Sequence, residues 1–224
     1  SVELDERDAV RLTKSMSVTS IPVEQFRRLA YGKVTDAVSA APLGNLVKSI
    51  ADKSGGVDVA IDVLGMRIFS DGQEKKKEVY PELIDAGRHT LAKVKFDRED
   101  GNLSDGNYLI NGVVQYCLAG EGGVDITRKL ARAFFTALSS HRVSIYKYSH
   151  ILEAMVVVQP EAVLDEAFKE DSRAAYRTAQ YFQQMMDDKK SPFDEIPTET
   201  LINWCDKAPE HRYPIMASVV RLFK

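Results

Sequence analysis

Apolar residues recur at helical spacing along most of this chain, and proline or glycine interrupts the pattern at intervals. Val23, Phe26, Leu29 and Ala30 mark a first helix, with Ser20 as its cap, Pro22 in its first turn and Gly32 at its end. Pro42 opens a second, through Leu43, Leu46, Val47 and Ile50, and Gly55–Gly56 stops it. A third runs from Gly56 to Phe69, and a fourth starts at Pro81 with Leu83, Ile84, Gly87, Leu91 and Val94. After a solvated turn over Asp97–Gly106, Tyr108–Leu118 forms a helix that Gly120 ends, and Ile126–Leu138 forms the next. Tyr146–Val158 runs to Pro160, Val163–Phe168 follows, and Ser172–Met186 ends before Ser191–Pro192. The pattern closes with Thr198–Asp206 and Pro209–Leu222. No segment alternates convincingly with period two. Val156–Val158 has strand propensity but lies inside a longer helical pattern.

The Gly56–Phe69 segment is apolar on nearly every side, as an interior helix is. Asp58, Asp62 and Gly65 form its one polar or open stripe. At 100° per residue Arg67 lies opposite that stripe, among Ala60, Val63 and Leu64, so it needs a carboxylate from a neighbouring helix.

The turn before this helix has an echo. Gly55–Gly56 and Gly122–Gly123 are the chain's two Gly-Gly pairs, 67 residues apart, and both continue Val-Asp, as Val57–Asp58 and Val124–Asp125. Leu43, Leu46, Val47 and Ile50 fall on Ile110, Val113, Val114 and Cys117 at the same offset. A second echo pairs Pro160–Glu161 with Pro209–Glu210, 49 residues apart. Two different offsets exclude a strict repeat. The expected fold is all-α: an irregular α-solenoid of stacked helical hairpins, HEAT- or TPR-like, with about ten or eleven helices. Residues 1–20 are expected to be a loose lead-in. A single helical-repeat domain then covers 21–224, with a candidate division near 140–145.

Composition changes this picture little. A hydrophobic share of 44% suits a packed core, and a net charge of −3 gives no sign of a nucleic-acid-coating protein. Two cysteines, Cys117 and Cys205, make neither a disulfide framework nor a metal cluster, so a reducing cytoplasm is the expected setting. Apolar runs such as Ala154–Val158 are too short to span a bilayer. The start at Ser1 rather than Met suggests an excised or processed piece of a longer protein, or a cloning scar.

Candidate chemistry is thin. Ala119–Gly123 precedes a helix, with Arg128 and Lys129 nearby, but the Gly-Lys-Ser/Thr ending of a phosphate-binding loop is missing, and Glu121 and Asp125 would repel phosphate. Gly55, Gly56, Asp58, Arg67, Gly122, Gly123 and Asp125 are therefore assigned structural roles. His89, His141, His150 and His211 form no metal-binding pair, although His150 and Glu153 are one turn apart. Neither a metal nor a cofactor is expected. Cys205, near Asp206 and His211, suits a buried packing thiol better than a nucleophile. Arg128 with Arg132, and Arg173 with Arg177, each share a helix face and are the candidate partner-binding residues. The plainer reading gives them local ion pairs to Asp125, Glu170 or Asp171.

Two windows resemble a known group. Gly55–Ile61 with Leu64, Met66 and Arg67, and Leu201–Asp206 with Pro209, Arg212–Tyr213, Ala217 and Phe223, resemble helical arrays of large bacterial multidomain conflict or antiphage-defence proteins. The resemblance implies a sensing or scaffolding role beside an effector or NTPase module. The leading expectation is thus a non-catalytic, protein-binding region whose partner is another protein or another domain of a longer chain. The alternatives are a nucleic-acid-binding array using the arginine faces, and an enzyme with a site between helices at Cys205 or at His150 and Glu153.

Overall fold

A computed structural model describes residues 39–69, 80–97, 101–104, 107–140, 145–169 and 195–222. The expected helices at Pro22 and Ser172–Met186, the lead-in over 1–20, and Arg173 and Arg177 lie outside these residues. Among them the regular structure is entirely helical. The helices are α1 (Ala40–Ala51), α2 (Gly56–Phe69), α3 (Pro81–Leu91), α4 (Leu109–Leu118), α5 (Val124–Ser139), α6 (Ile145–Val158), α7 (Pro160–Ala167), α8 (Thr198–Asp206) and α9 (Pro209–Leu222). The chain divides into two compact units. The first holds the described residues up to Val94 and from Gly101 to Cys117; the second holds 95–97 and those from Leu118 onward.

In the first unit α2 is the interior helix that its all-round apolarity predicts, with every residue from Gly56 to Gly65 buried. α1 packs on both α2 and α3, and α2 also touches α3. Their backbones approach closely at single glycines inside helices. A Cβ on Gly44 of α1 would lie 2.7 Å from the Glu82 carbonyl oxygen of α3, and one on Gly65 of α2 would lie 2.7 Å from Leu109 Cβ. One on Gly87 of α3 would overlap Cys117 Sγ of α4 and press on Leu64 of α2. Interiors this close-packed have no room for an added methyl.

In the second unit the short helix α7 is the hub, in contact with α5, α6 and α8, while α9 packs on α8. Its core includes an aromatic chain: Phe96 meets Phe134 edge-on at 5.4 Å and Tyr148 at 5.2 Å, and Phe134 meets Phe135 at 5.4 Å. Tyr148 has non-helical backbone angles (φ −128°, ψ 18°), so α6 is kinked within its first turns, a feature absent from the sequence pattern.

The two Gly-Gly turns are built differently. Gly55 takes the left-handed conformation (φ 69°) that glycine adopts without penalty. At the second turn that role belongs to Gly120 (φ 78°), while Gly122 is exposed in a short 3₁₀ turn over Glu121–Gly123. The second glycine of each pair keeps a common task. A side chain at Gly56 would collide with the Ile50 carbonyl, and one at Gly123 with the Leu118 carbonyl.

Candidate functional site

The polar residues that stand out in the sequence collect at two places, one in each unit. In the first unit the stripe on α2 is sealed from the turn before α4. Asp58 Oδ1 accepts hydrogen bonds from the Ser104 backbone N–H (3.1 Å) and from Asn107 Nδ2 (2.9 Å), and Asp58 Oδ2 accepts from the Ser104 hydroxyl. The same Asn107 amide donates to Asp62 Oδ1 at 2.9 Å, while its own oxygen accepts from the Leu109 N–H and caps the start of α4. Both aspartates are buried, so these donors satisfy carboxylates that would otherwise be costly to desolvate. Within the expected solvated turn Ser104 is indeed exposed, and it also bonds to the Asp58 carboxylate.

Arg67 is half-buried in the last turn of α2, where a cation suits the helix dipole. It is not enclosed as Ala60, Val63 and Leu64 are, because its long stem can carry the charge outward. Its field acts on Tyr116, favouring the phenolate, but burial dominates and pushes that phenol up. Tyr116 Oη accepts the Tyr80 N–H at 2.9 Å, where α3 begins.

In the second unit the centre is Asp165–Glu166 on α7. Arg132 of α5 grips Glu166 with two bonds, Nε to Oε2 at 3.0 Å and Nη2 to Oε1 at 2.8 Å. Lys169 Nζ adds a third at 2.8 Å. The Glu166 side chain is only 4% exposed, whereas that of Arg132 is 60% exposed, so the acid is the enclosed member. Burial pushes the Glu166 carboxyl up, but the hydrogen bonds from Arg132 and Lys169 outweigh it and hold it below the usual carboxylate range. Asp165 serves three elements at once. Its Oδ1 accepts from Trp204 Nε1 of α8 (2.9 Å) and Arg212 Nη2 of α9 (3.1 Å), and its Oδ2 accepts from Arg128 Nη2 of α5 (3.4 Å). The Arg212 guanidinium lies 4.4 Å above the Trp204 ring and donates Nη1 to the Trp204 carbonyl at 2.9 Å.

Of the candidate partner-binding residues, Arg128 and Arg132 do share a face of α5, and α7 meets it. Arg128 also lies 3.9 Å from Asp125, which is exposed in the first turn of α5. Sequence reasoning considered only near neighbours as their partners. Asp165 and Glu166, 37 and 34 residues away, carried no signal except their apolar surroundings on α7.

The remaining candidates fall into packing positions. Cys117 is buried beside Gly87 and its thiol is pushed up to about 12 by burial, so it holds almost no thiolate near neutrality. Cys205 is also buried, and burial and the neighbouring Asp206 raise its thiol against the pull of Arg212. His89 Nε2 meets Asp52 Oδ1 at 2.8 Å, and Lys93 Nζ meets the same oxygen at 3.0 Å. The bond from Lys93, then that from His89, hold Asp52 below its ordinary range. His150 and Glu153 share a face of α6 and are half-buried. Among the described residues no three His, Cys, Asp or Glu side chains converge as metal ligands, and no helix is long and apolar enough to cross a membrane. Comparison with family models, curated proteins and solved structures finds no match for this chain.

Proposed function

We propose that this chain is a non-catalytic, protein-binding helical region, scaffolding or sensing within a larger bacterial protein. The observation that carries this reading is the α8–α9 pair. α8 buries only Trp204 and Cys205, and none of the described side chains of α9, Pro209 to Ser218, is buried. Helices in proteins draw most of their stability from packing an apolar face. Here Ile202 (47% exposed), Tyr213 (44% exposed) and Ala217 remain on the surface. A protein partner, or another domain of the same parent, would supply the missing face. The antiphage-defence setting rests on the resemblance of the two sequence windows alone. A nucleic-acid reading would require Arg128 and Arg132 to leave Asp165 and Glu166, which weighs against it.

The test is a pair of charge substitutions, Ile202→Asp and Ala217→Glu. Both sites are exposed, so folding stability should stay within about 0.5 kcal/mol. A photo-crosslinker placed at residue 216 should trap a discrete adduct in cells producing the parent protein, and both substitutions should remove it. An adduct pattern unchanged by both variants would defeat the proposal.

A further inference from the structure

We propose that the recess beside Trp204 binds an oxyanion, a phosphate or carboxylate group, on the second unit. A cavity of about 420 Å³ opens there, lined by Phe168, Lys169, Trp204, Ala208, His211 and Arg212, with Asp165 at its edge. Three observations point to an anion. Around the α7 acids Asp165 and Glu166, the basic side chains of Arg128, Arg132, Lys169 and Arg212 gather. Asp125 also reaches Arg128, at 3.9 Å, and Asp206 lies two residues beyond Trp204.

Second, Arg212 is held rigidly, its guanidinium against the Trp204 ring and bonded to the Trp204 carbonyl and to Asp165. Those two bonds leave it donors to spare. An arginine already fixed in place loses little freedom on gripping an oxyanion. Third, His211 Nε2 is fully buried with no hydrogen-bond partner among the described residues. A buried nitrogen of this kind is costly. In the tautomer with its proton on Nε2 it is a donor suited to an anionic oxygen. Phe168, Trp204 and Ala208 give the recess an apolar wall that would exclude water from the bound group and strengthen each contact.

Trp204 is the chain's only tryptophan, so its fluorescence reports on this recess without labelling. The full chain is titrated with sodium phosphate and, separately, with sodium acetate, at ionic strength held constant with chloride. A saturable change is expected, with a midpoint on the order of 1 mM for a small anion. Lys169→Gln should raise that midpoint about fivefold, as loss of a charge-assisted bond does. His211→Phe should raise it about tenfold, and His211→Gln, which keeps a donor, should recover most of the loss. A response to phosphate alone assigns a phosphoryl group, and a response to both assigns an oxyanion of either kind. A change that never saturates, that chloride reproduces, or whose midpoint neither Lys169→Gln nor His211→Phe moves would overturn the proposal.

Discussion

The two units solve one problem, joining short helices, with different emphasis. In the first, α1, α2, α3 and α4 touch directly at Gly44, Gly65 and Gly87, and exposed ion pairs of Lys48 with Asp85 and of Asp52 with His89 and Lys93 add to the α1–α3 junction. In the second, α5, α7, α8 and α9 meet through charge, with Asp165 and Glu166 of α7 collecting Arg128, Arg132 and Arg212. Contact through glycine is close-packed and indifferent to salt, and a single carbon ruins it. Contact through ion pairs tolerates changes of volume but responds to pH and ionic strength. The difference shows that an all-helical chain need not stabilise itself uniformly, and that two parts of one molecule can fail under different conditions.

Each unit carries its own reporter, which makes the contrast measurable. Trp204 reports on the second, and the buried thiols of Cys117 and Cys205 divide between the first and the second. A large effect is expected of Gly87→Ala, which forces a methyl onto Cys117 and Leu64 and should cost the first unit about 3 kcal/mol. Labelling of Cys117 by a thiol reagent should then accelerate by about two orders of magnitude while Trp204 fluorescence is unchanged; equal acceleration at Cys205 would dissolve the distinction. Next comes Glu166→Ala, which removes the partner of Arg132 and Lys169 and should cost the second unit about 2 kcal/mol. Its readout is a lower urea midpoint by Trp204 fluorescence, without faster labelling of Cys117.

Glu166 also fixes the sign of the acid response. Its folded-state carboxyl titrates below the unfolded one, so the stabilisation is present above the unfolded value of about 4.3 and is lost as pH falls through the folded one. Urea melts followed at Trp204 between pH 6 and pH 3 should show that loss, and Glu166→Gln should flatten it. Asp52 behaves with the same sign in the first unit, but it is exposed, so its share is smaller. The smallest expected effect is that of Gly55→Ala, set against its neighbour Gly56→Ala. Gly55→Ala meets open space and strains only a left-handed backbone, costing about 1 kcal/mol, whereas Gly56→Ala collides with the Ile50 carbonyl and should cost more. Urea midpoints of the two variants, read by Cys117 labelling, decide the order, and a reversed order would show that the turn can shift.

What the sequence made legible was mostly local. The bounds of α8 and α9 follow from Pro197, Pro209 and the helical spacing between them, and α2 declared itself interior by having no polar face beyond Asp58 and Asp62. Long-range relations were not legible. Nothing near Asp58 announces Ser104 or Asn107, which are 46 and 49 residues away. Gly65 and Gly87 look like weak helix formers in a periodic pattern, and only the neighbouring helix reveals them as contact points. The Gly-Gly echo marks a turn between helices at both places but misleads in detail, because the glycine with positive φ is Gly55 at the first and Gly120, not Gly122, at the second.

That displaced turn bears on the order in which the chain can assemble during synthesis. The first joint is closed by its own neighbours, through the bonds of Lys53 to Ile50 and of Gly56 to Lys53. The second has the local bond of Gly123 to Gly120, but its carbonyls at Leu118 and Gly120 also accept from the Gln159 side-chain amide, 2.8 and 2.6 Å away. A ribosome releasing the chain from its N-terminus therefore delivers a finished first hairpin early. The carbonyls at the second joint can gain the Gln159 donor only after some forty further residues have emerged, and that contact carries the entropy cost of a long loop. Gln159 thus makes the second joint depend on a distant residue where the first depends only on its neighbours, although the two Gly-Gly pairs look alike in sequence.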